Sequence, residues 1–326
     1  MIKNINKKTM LSNLFLIAII ILFVGMYSNI FGTVNSLIGV VVITSILMFK
    51  DFSLGYETKS SVVITLLFFT LIGCVVSITN IVTPLLGFGI NLVFLFLMLY
   101  ITSENILIKS YLPFILLFIF LDGNPIAVEV IPTRLVACFI GGLLVAITQF
   151  IYNGKHDVSQ TLKCFYFKDL SFHNDRFVFC LKMSIAVSIS ILLGNLLELE
   201  KMMWISVAIM SVVQPSNTDS KQRMKMRLTS TVLGSLLFIL MFEILPLGQY
   251  VSILTLMIGY LYTFIEAYDK KMIFVALNAY ISTMLIYDTG EAIFLRISYL
   301  VIGILIAFIV NSIIETIRSN CKNCYV

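Results

Sequence analysis

The sequence predicts an all-α polytopic membrane protein of about twelve transmembrane helices, arranged as two parallel six-helix repeats, a pseudo-dimer. Three observations predict it. Of the 326 residues, 60% are apolar and only 12% charged, with a mean hydropathy of +1.03; an ordinary soluble domain carries about 25% charged residues to cover its surface. The apolar residues gather into twelve runs separated by polar, Gly or Pro punctuation. The sparse cations fall on alternate connections, as a helical membrane chain requires.

The first run, 10–31, follows Lys3, Lys7 and Lys8 and ends without a small-x-small cleavage site. It is longer than a signal-peptide core and reads as a retained signal anchor. Runs at 34–49, 60–78, 82–100, 110–121 and 132–152 complete a first repeat, 1–152. Runs at 176–196, 202–214, 228–245, 249–265, 272–287 and 292–314 form a second, 176–326. A perpendicular crossing takes about 20 residues, so 110–121 and 202–214 are expected to be broken, tilted or supported inside the bundle. Between the repeats lies a basic linker, 153–175, holding both histidines, His156 and His173. It is too short for a soluble domain, and an interfacial amphipathic helix is expected there.

With the N-terminus inside, 19 of the 22 Lys and Arg residues fall in or beside cytoplasmic segments. Lys201 alone sits in an outer loop, where Asp122, Glu129, Glu198, Glu200, Asp288 and Glu291 make the face acidic. Both termini are therefore expected in the cytoplasm. The net charge of +5 is thus a topology signal, and no nucleic-acid partner is expected. Arg134 and Arg296 are the two exceptions: each stands a few residues inside the outer end of the last helix of its half.

These two arginines also reveal an internal repeat. Glu-Val-Ile-Pro-Thr-Arg (129–134) aligns with Glu-Ala-Ile-Phe-Leu-Arg (291–296) at an offset of 162, and the register carries Gly141 onto Gly303 and Gln149 onto Asn311. Lys59 aligns with Arg227 at an offset of about 168. Six spans per half give both halves the same orientation, related by an axis along the membrane normal on which a pathway would lie.

The most informative local stretch runs from Met203 to Gly234. Trp204, the only tryptophan, opens an apolar helix that Pro215 closes; a basic stretch with Lys221, Arg223 and Lys225 follows, then Arg227-Leu-Thr-Ser-Thr231-Val-Leu-Gly234. This resembles the fusaric acid resistance (FUSC-like) and aromatic acid exporter family, whose pattern is a tryptophan-led helix, a proline, a basic stretch and Arg-x-x-Gly-Thr-x-x-Gly. Ser230 stands in place of the first glycine, and the large cytoplasmic domains of longer members are missing. The resemblance covers the second half directly and the first through the repeat. It implies a bacterial inner-membrane exporter of small organic acids or amphipathic toxic compounds, with proton coupling and a periplasmic membrane-fusion adaptor as partner. Plant aluminium-activated malate channels are similar at the same helix pair, which makes a passive anion channel the alternative. A non-transport membrane scaffold is the third reading.

Candidate residues follow from charge in an apolar setting. Lys221, Arg223 and Lys225 either anchor the topology or form a basic mouth that concentrates anions. Arg227 leads into a helix of small residues that includes Thr231. A cation inside a span costs about 2.5–3.5 kcal/mol at the centre and less near the end, so Arg134 and Arg296 need a ligand, an ion pair with Glu129 and Glu291, or headgroup contact. Trp204 either stacks on an aromatic substrate or marks the membrane interface. Glu243 and Glu266 are candidate proton carriers. No hydrolase elbow, phosphate loop or His pair at i, i+4 occurs, and Cys321-x-x-Cys324 is a lone pair without the four ligands of a structural zinc site. Neither an enzyme activity nor a metal or other cofactor is expected.

Overall fold

The computed structural model describes residues 6–104, 106–152, 170–245, 247–284 and 287–323. Among them are twelve α-helices and no strand: α1 (Lys7–Phe31), α2 (Ser36–Asp51), α3 (Thr58–Thr79), α4 (Pro84–Thr102), α5 (Leu112–Asp122), α6 (Ile131–Tyr152), α7 (Asp175–Leu196), α8 (Met203–Val212), α9 (Asn217–Ile239), α10 (Val251–Tyr262), α11 (Tyr268–Met284) and α12 (Thr289–Asn323). Each coincides with one of the apolar runs. Eight (α1–α4, α6, α7, α9 and α12) are long and apolar enough to cross a bilayer, so the chain reads as a multi-pass membrane protein.

Two boundaries differ most from those expected. Helix α9 begins at Asn217, well before residue 228. Its first three turns are polar and invisible to hydropathy, yet Ser220 and Met224 stand one turn apart and are both buried, so the helix face continues beneath a charged surface. Lys221 to Arg227 therefore ride on a helix, not on a loop. Helix α12 continues to Asn323 because its polar last turns pair back: Arg318 Nη2 bonds Asp175 Oδ1 at 2.6 Å. The helix expected in the linker lies at 153–169, outside the described residues, as do His156, Cys164 and Cys324.

Of the three short apolar helices, α5 and α8 are inside the bundle, while α10 buries only Leu254 and Ile258. At 1.5 Å per residue, α5 and α8 are about 16 and 15 Å long, roughly half the hydrocarbon thickness. Phe114, Ile115, Leu117, Phe118, Ile119 and Leu121 of α5 are all buried, as are Ile205, Ser206, Ala208, Ile209 and Val212 of α8. Neighbouring helices replace the lipid that these segments are too short to meet. Helix α1, by contrast, buries only Tyr27, whose hydroxyl donates to Ala137 O of α6 at 2.6 Å; its many exposed Leu, Ile and Phe side chains face the bilayer.

Close helix approach rests on small residues, since apolar side chains in lipid have no hydrophobic reason to associate. A Cβ added to Gly141 of α6 would stand 2.6 Å from Val42 Cγ2 and 3.6 Å from Ile38 Cγ2 of α2. One added to Gly303 of α12 would meet Ala208 Cβ at 2.8 Å and Ile205 O at 2.9 Å in α8. In both cases the last helix of a half leans on one turn of that half's second helix, on residues three or four apart.

The core is divided. One continuous cluster joins α1–α8 with α12 and Met224 of α9, while Phe238, Ile258, Ala276, Leu277, Tyr280 and Ile281 of α9, α10 and α11 form a smaller separate one. The connections collect at two ends. Residues near Lys109 and Gln214 and the final turns of α12 surround a cavity of about 690 Å³ at one end. Gly123, Pro125, Glu198–Met202 and Tyr287 surround one of about 620 Å³ at the other.

The packing at Gly303 gives a direct test. Gly303→Ala should destabilise the protein by about 1–3 kcal/mol through overpacking, read as a lower midpoint of thermal unfolding in detergent. Gly25→Ala, whose added methyl would meet nothing within 4 Å, should leave the midpoint unchanged or slightly raised.

Candidate functional site

The second half brings four of the expected residues around one small cavity. Trp204 and Ala208 of α8, Arg227 and Thr231 of α9, Ala276, Ala279 and Tyr280 of α11, and Arg296 of α12 line about 40 Å³. Arg227, Ser230, Thr231 and Gly234 follow i, i+3, i+4, i+7 spacing, so the motif is one face of α9. Gly234 and Ser230 set that face against α11. A Cβ on Gly234 would lie 2.8 Å from Ala276 Cβ, and Ser230 Oγ donates to Asp269 O at 2.8 Å. Arg227 and Thr231 are left facing the cavity.

The Arg296 guanidinium carbon lies 3.6 Å from the centroid of the Trp204 ring, a cation–π stack. Its Nε donates to Thr283 Oγ1 at 3.1 Å and its Nη2 to Ala279 O at 3.2 Å. Arg227 is less well provided. Its Nη1 meets the Met272 thioether at 2.6 Å, a weak acceptor, and its buried Nε has no partner. Among the described residues neither arginine forms an ion pair. Two guanidinium charges thus share a polar hole in an apolar bundle with no carboxylate to balance them, an arrangement that favours an anion.

Arg134 is differently placed. It is 1% exposed, and its Nε, Nη1 and Nη2 donate to Asn35 Oδ1, Leu121 O and Val34 O at 3.2, 3.4 and 3.5 Å. These bonds tie α6 to the start of α2 and the end of α5, and Arg134 lines none of the described cavities. Glu129 and Glu291 are exposed and pair with neither arginine. Glu291 stands five residues before Arg296 on α12, a rotation of about 140° that turns its carboxylate away, and Glu129 lies in the 3-10 turn that precedes α6.

Of the basic stretch, Arg223 stacks on Tyr268 at 4.3 Å and lines the 690 Å³ cavity with Lys109. Burial, with the Arg223 charge second, pushes the Lys109 ammonium below its ordinary pKa. Lys221 and Lys225 are exposed on the opposite side of α9. Glu243 lies in a π-helical turn, Leu240–Ile244, that ends α9, and Glu266 lies in the connection to α11; both are exposed and line no described cavity. The α11 wall went unpredicted, although Ala276, Ala279, Tyr280 and Thr283 repeat at i, i+3, i+4, i+7 and would have marked it.

Residues 189–310 match the family described as fusaric acid resistance protein-like. That segment runs from the middle of α7 into α12 and contains every residue of the cavity, including Trp204 and Arg227, which with Gly234 carried the resemblance. No curated protein and no solved structure gives a significant match to the chain.

The single tryptophan makes the geometry testable by fluorescence. Arg296→Ala should admit water beside the indole and shift its emission to the red, with a loss of about 0.5–2 kcal/mol from the stack. Arg134→Ala, remote from Trp204, should leave the emission maximum unchanged as long as the protein stays folded.

Proposed function

We propose that this chain, with its fusaric acid resistance protein-like domain at 189–310, is a secondary exporter of small aromatic or lipophilic organic acids. It works in a bacterial inner membrane with both termini in the cytoplasm, coupled to protons. The observation that carries the proposal is the pairing of Arg296, stacked on Trp204, with Arg227 around a cavity that holds no carboxylate. A carboxylate would bond the guanidinium forks, and an aromatic ring would take its place against the indole and Tyr280.

The cavity volumes favour a carrier. The 690 Å³ and 620 Å³ vestibules lie at opposite ends of the bundle. Between them the arginine site has only about 40 Å³, room for about three waters, whereas a drug-sized ligand needs roughly 300 Å³ or more. At that volume the site would have to widen to take such a ligand, and α9–α11, which share the smaller core cluster, are the part whose movement would widen it. In this reading α1–α6 and α7–α12 are parallel repeats. The contacts of Gly141 with α2 and of Gly303 with α8 support this, as do the bonds of Arg134 to Leu121 and of Arg296 to Thr283, partners related by the same offset of 162.

Expression in an acid-sensitive bacterial host tests the proposal. Cells making the wild-type chain should tolerate more fusarate, salicylate or benzoate and accumulate less of it. Arg227→Gln and Arg296→Gln should each return accumulation to the vector level, a loss of about tenfold or more in transport if at least 1.4 kcal/mol of binding is removed. Equal sensitivity with and without the chain, for every compound, would argue against export. Purely downhill, voltage-dependent flux in liposomes would favour the anion channel instead.

A further inference from the structure

Lys182 counts with the basic end in the sequence, yet the fold draws it into the bundle. It lies two turns inside α7, is fully buried, and holds Glu315 of α12 in an ion pair, Nζ to Oε1 2.5 Å. Glu315 is the wet partner: its side chain keeps 28% exposure and lines the 690 Å³ cavity. An ionisable group at this depth is costly and is a functional candidate by default.

A second observation extends the pair inward. Asn311, one turn before Glu315 on α12, is 1% exposed, and neither its Oδ1 nor its Nδ2 has a hydrogen-bond partner. Its counterpart in the first half, Gln149, accepts from Thr65 at 2.8 Å and leaves only its Nε2 without a partner. Ser188 Oγ, on the α7 side, is also buried and unpartnered. Helices α7 and α12 run antiparallel, so Ser188, about 9 Å beyond Lys182, and Asn311, about 6 Å before Glu315, lie deeper in the same direction. Bare amide and hydroxyl groups at such depth call for buried water, the medium through which a proton reaches a carboxylate. Lys182, Asn311 and Glu315 all lie outside the family segment 189–310, so the cavity described above does not account for them.

We infer that Lys182 and Glu315, with Asn311 behind them, are the proton-binding site that drives transport, reached from the vestibule through Glu315. Binding adds one proton to a Glu315 carboxylate oxygen, forming one O–H bond and breaking none but the contact to Lys182. The charge that held Lys182 is thereby removed, and the α7–α12 contact loosens. Release reverses this. The other charges facing Glu315 are Asp175, bonded to Arg318, and Lys109, Asp219 and Arg223 across the vestibule; α4 and α8 bring no charge to the pair.

The inference rests on the proton-coupled reading, and one experiment separates the two. The purified chain in liposomes is given an imposed pH gradient and benzenesulfonate, an aromatic anion that stays ionised and carries no protons through lipid. The wild type should accumulate the probe. Glu315→Gln, and the charge-free double variant Lys182→Met with Glu315→Gln, should lose accumulation yet keep downhill exchange of the probe within about twofold. Accumulation by both variants at the wild-type level would overturn the inference, as would loss of exchange together with accumulation, which would make the pair structural; either result leaves export standing. A wild type that equilibrates the probe without accumulating it, or does not move it, would remove the coupled-transport reading and the inference with it.

Discussion

A guanidinium taken out of water must find its compensation in the protein or in a ligand, and the two halves of this molecule answer that requirement in opposite ways. In the first half Arg134 spends its donors on Asn35, Leu121 and Val34 and so fastens α2, α5 and α6 together. In the second half Arg296 has two bonds and an indole, while Arg227 has a thioether and an idle Nε. The arginine that is fully paired lies in the large core, and those that are not lie beside the unit with a core of its own. Helix tethering in one half and buried cations without a counter-charge in the other thus come from one residue type, separated by how many acceptors the neighbouring helix ends supply.

Small side chains make this possible. Gly303 lets α12 lie on α8 closely enough for Arg296 to reach Trp204, and Gly234 with Ala276 brings α9 and α11 close enough for Arg227 and Tyr280 to share a wall. In lipid, such contacts are held by packing and local hydrogen bonds and not by exclusion of water. The walls of the small cavity are therefore set by side-chain size on α8, α9, α11 and α12.

The helices were legible because hydrocarbon imposes long apolar runs, and all twelve runs are helices. The polar start of α9 was not, because hydropathy does not register a helix whose outer face is charged while Ser220 and Met224 hold the inner one. Trp204, Arg227, Thr231 and Arg296 were legible as a group, through a motif with helical spacing and through charge in the wrong solvent. For Arg134 the alignment of the two halves gave a position in the chain but not the acceptors around it, Asn35, Leu121 and Val34. Lys182 was hidden for the opposite reason. Near a helix end on the basic side it looks like one more topology residue, and only its burial and its bond to Glu315 distinguish it from the others.

The central claim is that Trp204, Arg227 and Arg296 form one anion site, and direct binding tests it. Benzoate titrated into the purified chain should quench the emission of its only tryptophan saturably, and Arg227→Gln and Arg296→Gln should each weaken the half-saturating concentration by about tenfold or more. A change that never saturates, or saturation unaltered by both substitutions in folded protein, would contradict the account.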